Sequence, residues 1–74
     1  MSLTLSRFTA LLEEEFGAGY AHSLRQDLIL PQCDFLVADD ALARGFKPVV
    51  VWLALCEELD VPEERRFNII PKLN

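Results

Sequence analysis

The chain has 74 residues and a formal net charge of −5 at pH 7, with a pI near 4.6. This length allows one domain at most, and the acidic balance opposes non-specific attraction to nucleic acid or anionic lipid. The longest apolar run, Val49 to Cys56, is too short to span a membrane.

No charged segment followed by an apolar core begins the chain, so no signal peptide is predicted. The two cysteines, Cys33 and Cys56, lie too far apart for a Cys-x-x-Cys motif. We therefore expect a cytoplasmic protein with reduced thiols and no membrane segment.

The pattern from Leu5 to Phe16 predicts a first amphipathic helix. Thr4 is its expected N-cap, and Leu3 and Phe8 are spaced for a hydrophobic staple. Gly17 is expected to end this helix, because glycine readily adopts the conformation found after a helix C-terminus.

Three consecutive acids, Glu13-Glu14-Glu15, lie near the C-terminal end of this helix, where the helix dipole disfavours negative charge. The main interpretation is a solvated face. The alternative is that Glu15 faces a cation such as Arg25 or Arg65, or the start of the next helix.

The second predicted helix covers Ala18 to Leu30 and stops at Pro31, which disfavours helical geometry in the residue before it. Residues 32–36 are predicted as a loop. A short third helix is predicted over Ala38 to Arg44, with a possible earlier start at Asp34.

Gly45 is expected to end the third helix, with Phe46 folding back on Ala41 or Leu42 as in a Schellman motif. A central helix over residues 48–60 follows at once. Pro48 suits the first helical position because its missing N–H and fixed φ cost nothing there.

The central helix is apolar nearly all round, so it is either central in the fold or covered by a partner. One face is predicted to form the core: Val51, Trp52, Leu55, Cys56 and Leu59. Val49, Val50 and Leu53 fall off that face and are left over.

Asp60, followed by Val61-Pro62-Glu63, is predicted to be the N-cap of a terminal helix through Arg66. The tail, residues 67–74, either packs on the bundle through Phe67, Ile69 and Ile70 or frays. The predicted class is all-α: a compact bundle of four to five short helices with no sheet. It forms a single domain over 1–74, with its core at about 3–66.

Several segments together resemble one known family. They are Leu3-Thr4 with Phe8, Glu15-Phe16-Gly17 with Tyr20, Arg25 with Asp27, Ala41-Leu42 with Gly45, Pro48 ahead of Val51-Trp52, Ala54-Leu55-Cys56, and Asp60-Val61-Pro62-Glu63-Glu64-Arg65-Arg66. This pattern is similar to an uncharacterised actinobacterial family of small domains of unknown function. The resemblance covers nearly the whole chain, from Leu3 to Arg66.

The resemblance implies a small helical cytoplasmic protein without an assigned activity. It also implies a gene context near a recombinase and its regulator. The chain departs from the family at Val37, where a threonine is usual, and at Val49, Val50 and Leu53, where charged residues are usual. Valine cannot cap a helix, and the second departure makes this central helix unusually apolar.

No catalytic, cofactor or metal site is predicted, and no small-molecule ligand is evident. His22 is interpreted as a surface residue because the partners of a triad or metal site are missing. Cys56 is assigned to the core, and Cys33, in a loop, is expected to be the more exposed thiol. Trp52 is interpreted as the core anchor.

The sequence therefore predicts a non-enzymatic protein-interaction module that binds itself or another protein. Its predicted surface comprises Phe46, Val49, Val50 and Leu53 on or beside the central helix. The competing possibility is that the tail covers Val49 and Leu53 within one chain.

The alternative function is an accessory role in DNA recombination or repair. It would use weak nucleic-acid contact through a local basic edge made by Arg44, Lys47, Arg65 and Arg66. Nucleic-acid binding is the less favoured function, because the apolar central helix offers few groups that bond phosphates or bases.

Overall fold

The computed structural model describes residues 3–66, which form five α-helices and one short antiparallel hairpin. The helices are α1 (Leu5–Phe16), α2 (Ala18–Asp27), α3 (Ala38–Ala43), α4 (Pro48–Glu58) and α5 (Glu63–Arg66). The strands β1 (Ile29–Leu30) and β2 (Leu36–Val37) lie between α2 and α3 in the chain. The mainly helical class is confirmed, but the prediction of no sheet is wrong. The predicted tail lies outside the described residues.

The first helix begins and ends where the sequence predicts. The Thr4 hydroxyl accepts a hydrogen bond of 3.1 Å from the backbone N–H of Arg7, as expected of an N-cap. Gly17 has φ +85° and donates its N–H to the carbonyl of Glu13 at 2.9 Å. Because its own carbonyl accepts from Ala21, the same glycine joins α1 to α2.

The second helix ends earlier than predicted, because the chain becomes extended at Leu28 (φ −84°, ψ 117°). The extended residues form β1, in which Ile29 lies opposite Val37 and Leu30 opposite Leu36. Pro31 does keep Leu30 out of helical geometry, but it opens a 3₁₀ turn over Pro31–Cys33. The hairpin replaces the predicted loop and the last turn of the predicted helix.

Two consecutive left-handed residues turn the hairpin, Asp34 (φ 57°) and Phe35 (φ 59°). The Phe35 N–H donates to the carbonyl of Leu30 at 3.0 Å. A left-handed residue cannot begin a right-handed helix, so the possible start of the third helix at Asp34 is wrong. This helix begins at Ala38, and Val37 occupies the N-cap position without a side-chain hydrogen bond.

The turn between α3 and α4 confirms the predicted Schellman motif. Gly45 (φ 104°) donates to the carbonyl of Leu42 at 3.1 Å, and Phe46 donates to that of Ala41 at 3.0 Å. Pro48 then occupies the first turn of α4, as predicted.

Asp60 is the end of a helix and not the beginning of one. It has φ +55°, and the next residue, Val61, donates its N–H to the carbonyl of Cys56 at 3.0 Å. This bond joins residues five positions apart, as does the outer hydrogen bond of a Schellman motif. The predicted N-cap is therefore wrong, and α5 begins at Glu63.

Trp52 lies in the centre of the core and is only 1% exposed, which confirms its predicted role as anchor. Its ring centroid lies 6.5 Å from that of Phe16. Its indole Nε1 donates to the carbonyl of Arg66 at 2.8 Å, which ties α4 to α5. Core side chains from α1, β1 and α4, including Phe8, Leu30 and Leu55, are fully buried.

Candidate protein-interaction face

Three of the four residues of the predicted surface contact the core. Phe46, Val49 and Leu53 are half-buried and pack against the core cluster, whereas Val50 is 40% exposed. The leftover apolar surface is therefore smaller than the helical pattern suggests. It is concentrated at Val50, and Leu53 is half-buried beside it.

A groove with a volume of about 450 Å³ runs along this side of α4. It is lined by Gln32, Val50, Leu53, Ala54, Glu57, Glu63 and Arg66. Sequence reasoning missed Gln32, Ala54, Glu57 and Glu63 as members of this site. The helical spacing from Val50 could have indicated Ala54 and Glu57, but nothing in the sequence brings Gln32 or Glu63 to α4.

The groove exists because a small side chain lies between larger ones. Ala54 forms part of its lining, one turn beyond Val50 and one turn before Glu57. On the other side α5 is held in place by Arg66, whose Nε donates to the carbonyl of Val61 at 2.6 Å. We call Lys47, Val50, Leu53, Ala54 and Glu57 the α4 face.

The two ends of the α4 face carry opposite charge. At the C-terminal end, Glu57 Oε2 accepts a hydrogen bond from Arg66 Nη1 at 3.0 Å. Glu58 Oε2 accepts one from the Gln32 amide at 3.2 Å. At the N-terminal end, Lys47 is exposed and forms no ion pair within residues 3–66.

The four residues of the predicted basic edge occupy two places. Arg44 and Lys47 both precede the beginning of α4, whereas Arg65 and Arg66 lie on α5, which follows the end of α4. Arg65 Nε lies 2.9 Å from Glu15 Oε2, which confirms the alternative in which Glu15 faces Arg65. Two of the four cations therefore already have carboxylate partners.

Both thiols are fully buried, so the expectation that Cys33 is the more exposed one is wrong. The 3₁₀ turn places Cys33 against the core. The pKa of Cys56 is raised to about 11, chiefly by burial, with the charge of Arg66 opposing the shift and that of Glu15 adding a smaller increase. Burial and the charge of Asp34 likewise raise the pKa of Cys33. Neither thiol is arranged as a reactive nucleophile.

His22 is an exposed residue of α2 beside a small pocket. The pocket is built around Arg25, whose Nε contacts Asp39 Oδ1 at 2.7 Å and whose Nη1 donates to Thr9 Oγ1 at 3.1 Å. These contacts join α1, α2 and α3, so the Arg25 cluster stabilises the fold. Among residues 3–66 no group of three or more His, Cys, Asp or Glu side chains is arranged to hold a metal.

The family model described as "Protein of unknown function (DUF3046)" matches residues 3–64. The chain belongs to this family. The DUF3046 match includes the hairpin and all of α4, and it ends within α5. No curated protein and no solved structure matches the chain. In the described part of this DUF3046 member, no helix has the length and apolar character needed to cross a membrane.

Proposed function

We propose that this protein is a small, non-enzymatic, cytoplasmic protein-interaction module that binds its partner through the α4 face. The observation that supports this proposal most directly is the groove beside Val50. An exposed valine, the half-buried Leu53 and the small Ala54 together form an apolar depression with polar side chains at its rim. Apolar depressions with a polar rim are typical of protein-recognition sites.

The composition of α4 supports the same function. Its first turn carries no acidic residue, although negative charge is favourable there, and it carries Val49 and Val50 instead. Val50 contributes less to the core than Val51 does, because 40% of Val50 remains exposed whereas Val51 is fully buried. An apolar residue at this position therefore fits a role in binding better than a role in folding.

A non-enzymatic role is supported by the placement of the reactive side chains. Cys33 and Cys56 are enclosed, and burial raises the pKa of each thiol. A nucleic-acid role is less well supported, because Arg65 and Arg66 are paired with Glu15 and Glu57. We therefore do not propose the recombination or repair role.

The test is site-specific photo-crosslinking in cells. A photoreactive benzoylphenylalanine replaces Val50 in one variant and Leu5 in a matched control, since Leu5 is 55% exposed in the first turn of α1. We expect a discrete adduct from position 50 and none from position 5. The adduct partner, once purified, should bind the wild type and not Val50→Glu. No adduct at position 50, or the same adduct at both positions, would contradict the proposal.

A further inference from the structure

We propose that the partner of the α4 face is a second copy of this chain, with the two α4 helices packed antiparallel about a two-fold axis. This proposal rests on the proposed function and specifies its partner. It places the axis near the level of residue 52, so that each end of one helix meets the opposite end of the other.

The spacing of the α4 face suits such a pair. Residues 50, 54 and 57 are separated by four and three positions, so they form one stripe along the helix, and Lys47 lies three positions before Val50 at the N-cap of α4. The stripe reads Lys47, Val50, Ala54, Glu57. It is symmetric in position about residue 52, with a large and a small apolar residue inside and a charged residue at each end.

Charge decides the direction of pairing. In the antiparallel arrangement, Lys47 of one copy faces Glu57 of the other, and this contact occurs twice. A parallel arrangement would set Lys47 against Lys47 and Glu57 against Glu57. Glu57 can accept a second cation besides Arg66, because 59% of its side chain is exposed. Opposite charges at the rim therefore favour the antiparallel pair and oppose the parallel one.

Shape agrees with the same arrangement. Val50 lies opposite Ala54 of the second copy, so the exposed valine enters the groove where the small alanine leaves room. Leu53 lies next to the axis and meets its own copy. Two helices approach closely when large side chains of one helix enter the spaces above small side chains of the other.

The size of the face determines the expected strength. An α4 of 11 residues spans about 16 Å, and a contact of this length buries less surface than a stable obligate dimer requires. We therefore expect a reversible dimer that dissociates in the micromolar range.

Sedimentation equilibrium of the full chain tests the pairing. Lys47→Glu alone and Glu57→Lys alone should each weaken self-association by roughly tenfold or more, because each sets like charges face to face twice. An equimolar mixture of the two variants should associate again. In the mixed pair the glutamate introduced at position 47 faces the lysine introduced at position 57, and the native Glu57 faces the native Lys47. Thermal unfolding monitored by circular dichroism shows that each variant is folded.

Salt gives a second readout that does not depend on Glu57→Lys, which also loses the Arg66 contact. Added salt should strengthen association of Lys47→Glu more than that of the wild type, because screening removes repulsion at the contact in the first and attraction in the second, whereas the repulsion between two acidic chains is screened in both. An equal response of both proteins to salt would overturn the charge pairing.

The remaining outcomes separate this proposal from the proposed function. A wild type that stays monomeric at tens of micromolar would overturn the proposal that a second copy is the partner. This outcome is expected if the chain's own residues 67–74 fill the groove. If position 50 still crosslinks to another protein, the interaction module stands. A dimer that Val50→Glu abolishes, but that the mixed charge variants fail to restore, overturns the antiparallel register alone.

Discussion

The indole Nε1 of Trp52 donates a hydrogen bond of 2.8 Å to the backbone carbonyl of Arg66, fourteen residues further along the chain. The side chain of Arg66 in turn contacts the Val61 carbonyl and Glu57. These contacts hold α5 against α4. The position of Arg66, which lines the groove, therefore depends on Trp52 in the core.

The first prediction concerns this hydrogen bond. Trp52→Phe keeps a smaller aromatic ring and leaves the Arg66 carbonyl without its donor, and these two changes together should lower the free energy of unfolding by ~1–3 kcal/mol. Trp52→Ala should lower it by ~3–5 kcal/mol, since it also empties a fully buried site. Urea denaturation measures both. Equal losses in the two variants would show that the phenyl ring kept in Trp52→Phe adds no stability.

The second prediction compares two glycines with open space around the missing Cβ. Gly17→Ala should destabilise by ~1–3 kcal/mol, because φ +85° and ψ 148° lie in a region that residues with a side chain avoid. Gly19→Ala, in the first turn of α2, should stabilise by up to ~0.5–1 kcal/mol, the value found in helix interiors. Thermal unfolding of the pair checks the opposite signs. A stabilising Gly17→Ala would contradict the positive φ.

The third prediction isolates the ion pair between Arg25 and Asp39. Asp39 and Asp40 both lie in the first turn of α3, so Asp→Asn at either position weakens the same interaction with the helix dipole. Only Asp39 contacts Arg25, at 2.7 Å. Asp39→Asn should therefore cost ~0.5–1 kcal/mol more than Asp40→Asn, as measured by chemical denaturation. Equal costs would mean that the Arg25 contact adds no stability.

The fourth prediction follows from the raised pKa of Cys56. When the pKa of a thiol is higher in the folded state than in the unfolded state, its contribution to the free energy of unfolding is complete at any pH below the pKa of the unfolded state. That stability is lost as the pH rises from 9.0 towards about 11. Unfolding measured across this range should show a steeper decline for the wild type than for Cys56→Ala. Parallel pH profiles would argue against a raised pKa at Cys56.

Local signals account for the parts of the fold that the sequence predicted. Thr4, Gly17, Gly45 and Pro48 act on their own helix ends through capping and backbone geometry, so neighbouring residues suffice to place those ends. The same reasoning fails at Asp60, because a capping-box spacing and a left-handed helix ending both use an aspartate.

The hairpin and the groove could not be predicted in this way. Two-residue strands have no periodicity, and the left-handed Phe35 contradicts the preference of a bulky residue. The lining of the groove depends on where Gln32 and Arg66 meet α4, which is set by tertiary packing. Helical spacing indicated Val50 and Leu53 but overestimated how much of Val49 and Phe46 stays outside the core.

The pairing of Ile29 with Val37 has a consequence for the rate of folding. The hairpin closes over a short segment, and α1 packs on α2, α2 on α3 and α3 on α4, so many contacts join elements that are neighbours in sequence. Chains of this kind lose little entropy before their first contacts form and cross the folding barrier within microseconds to milliseconds. A newly made copy should therefore reach its native state quickly, leaving its apolar α4 segment exposed only briefly to aggregation.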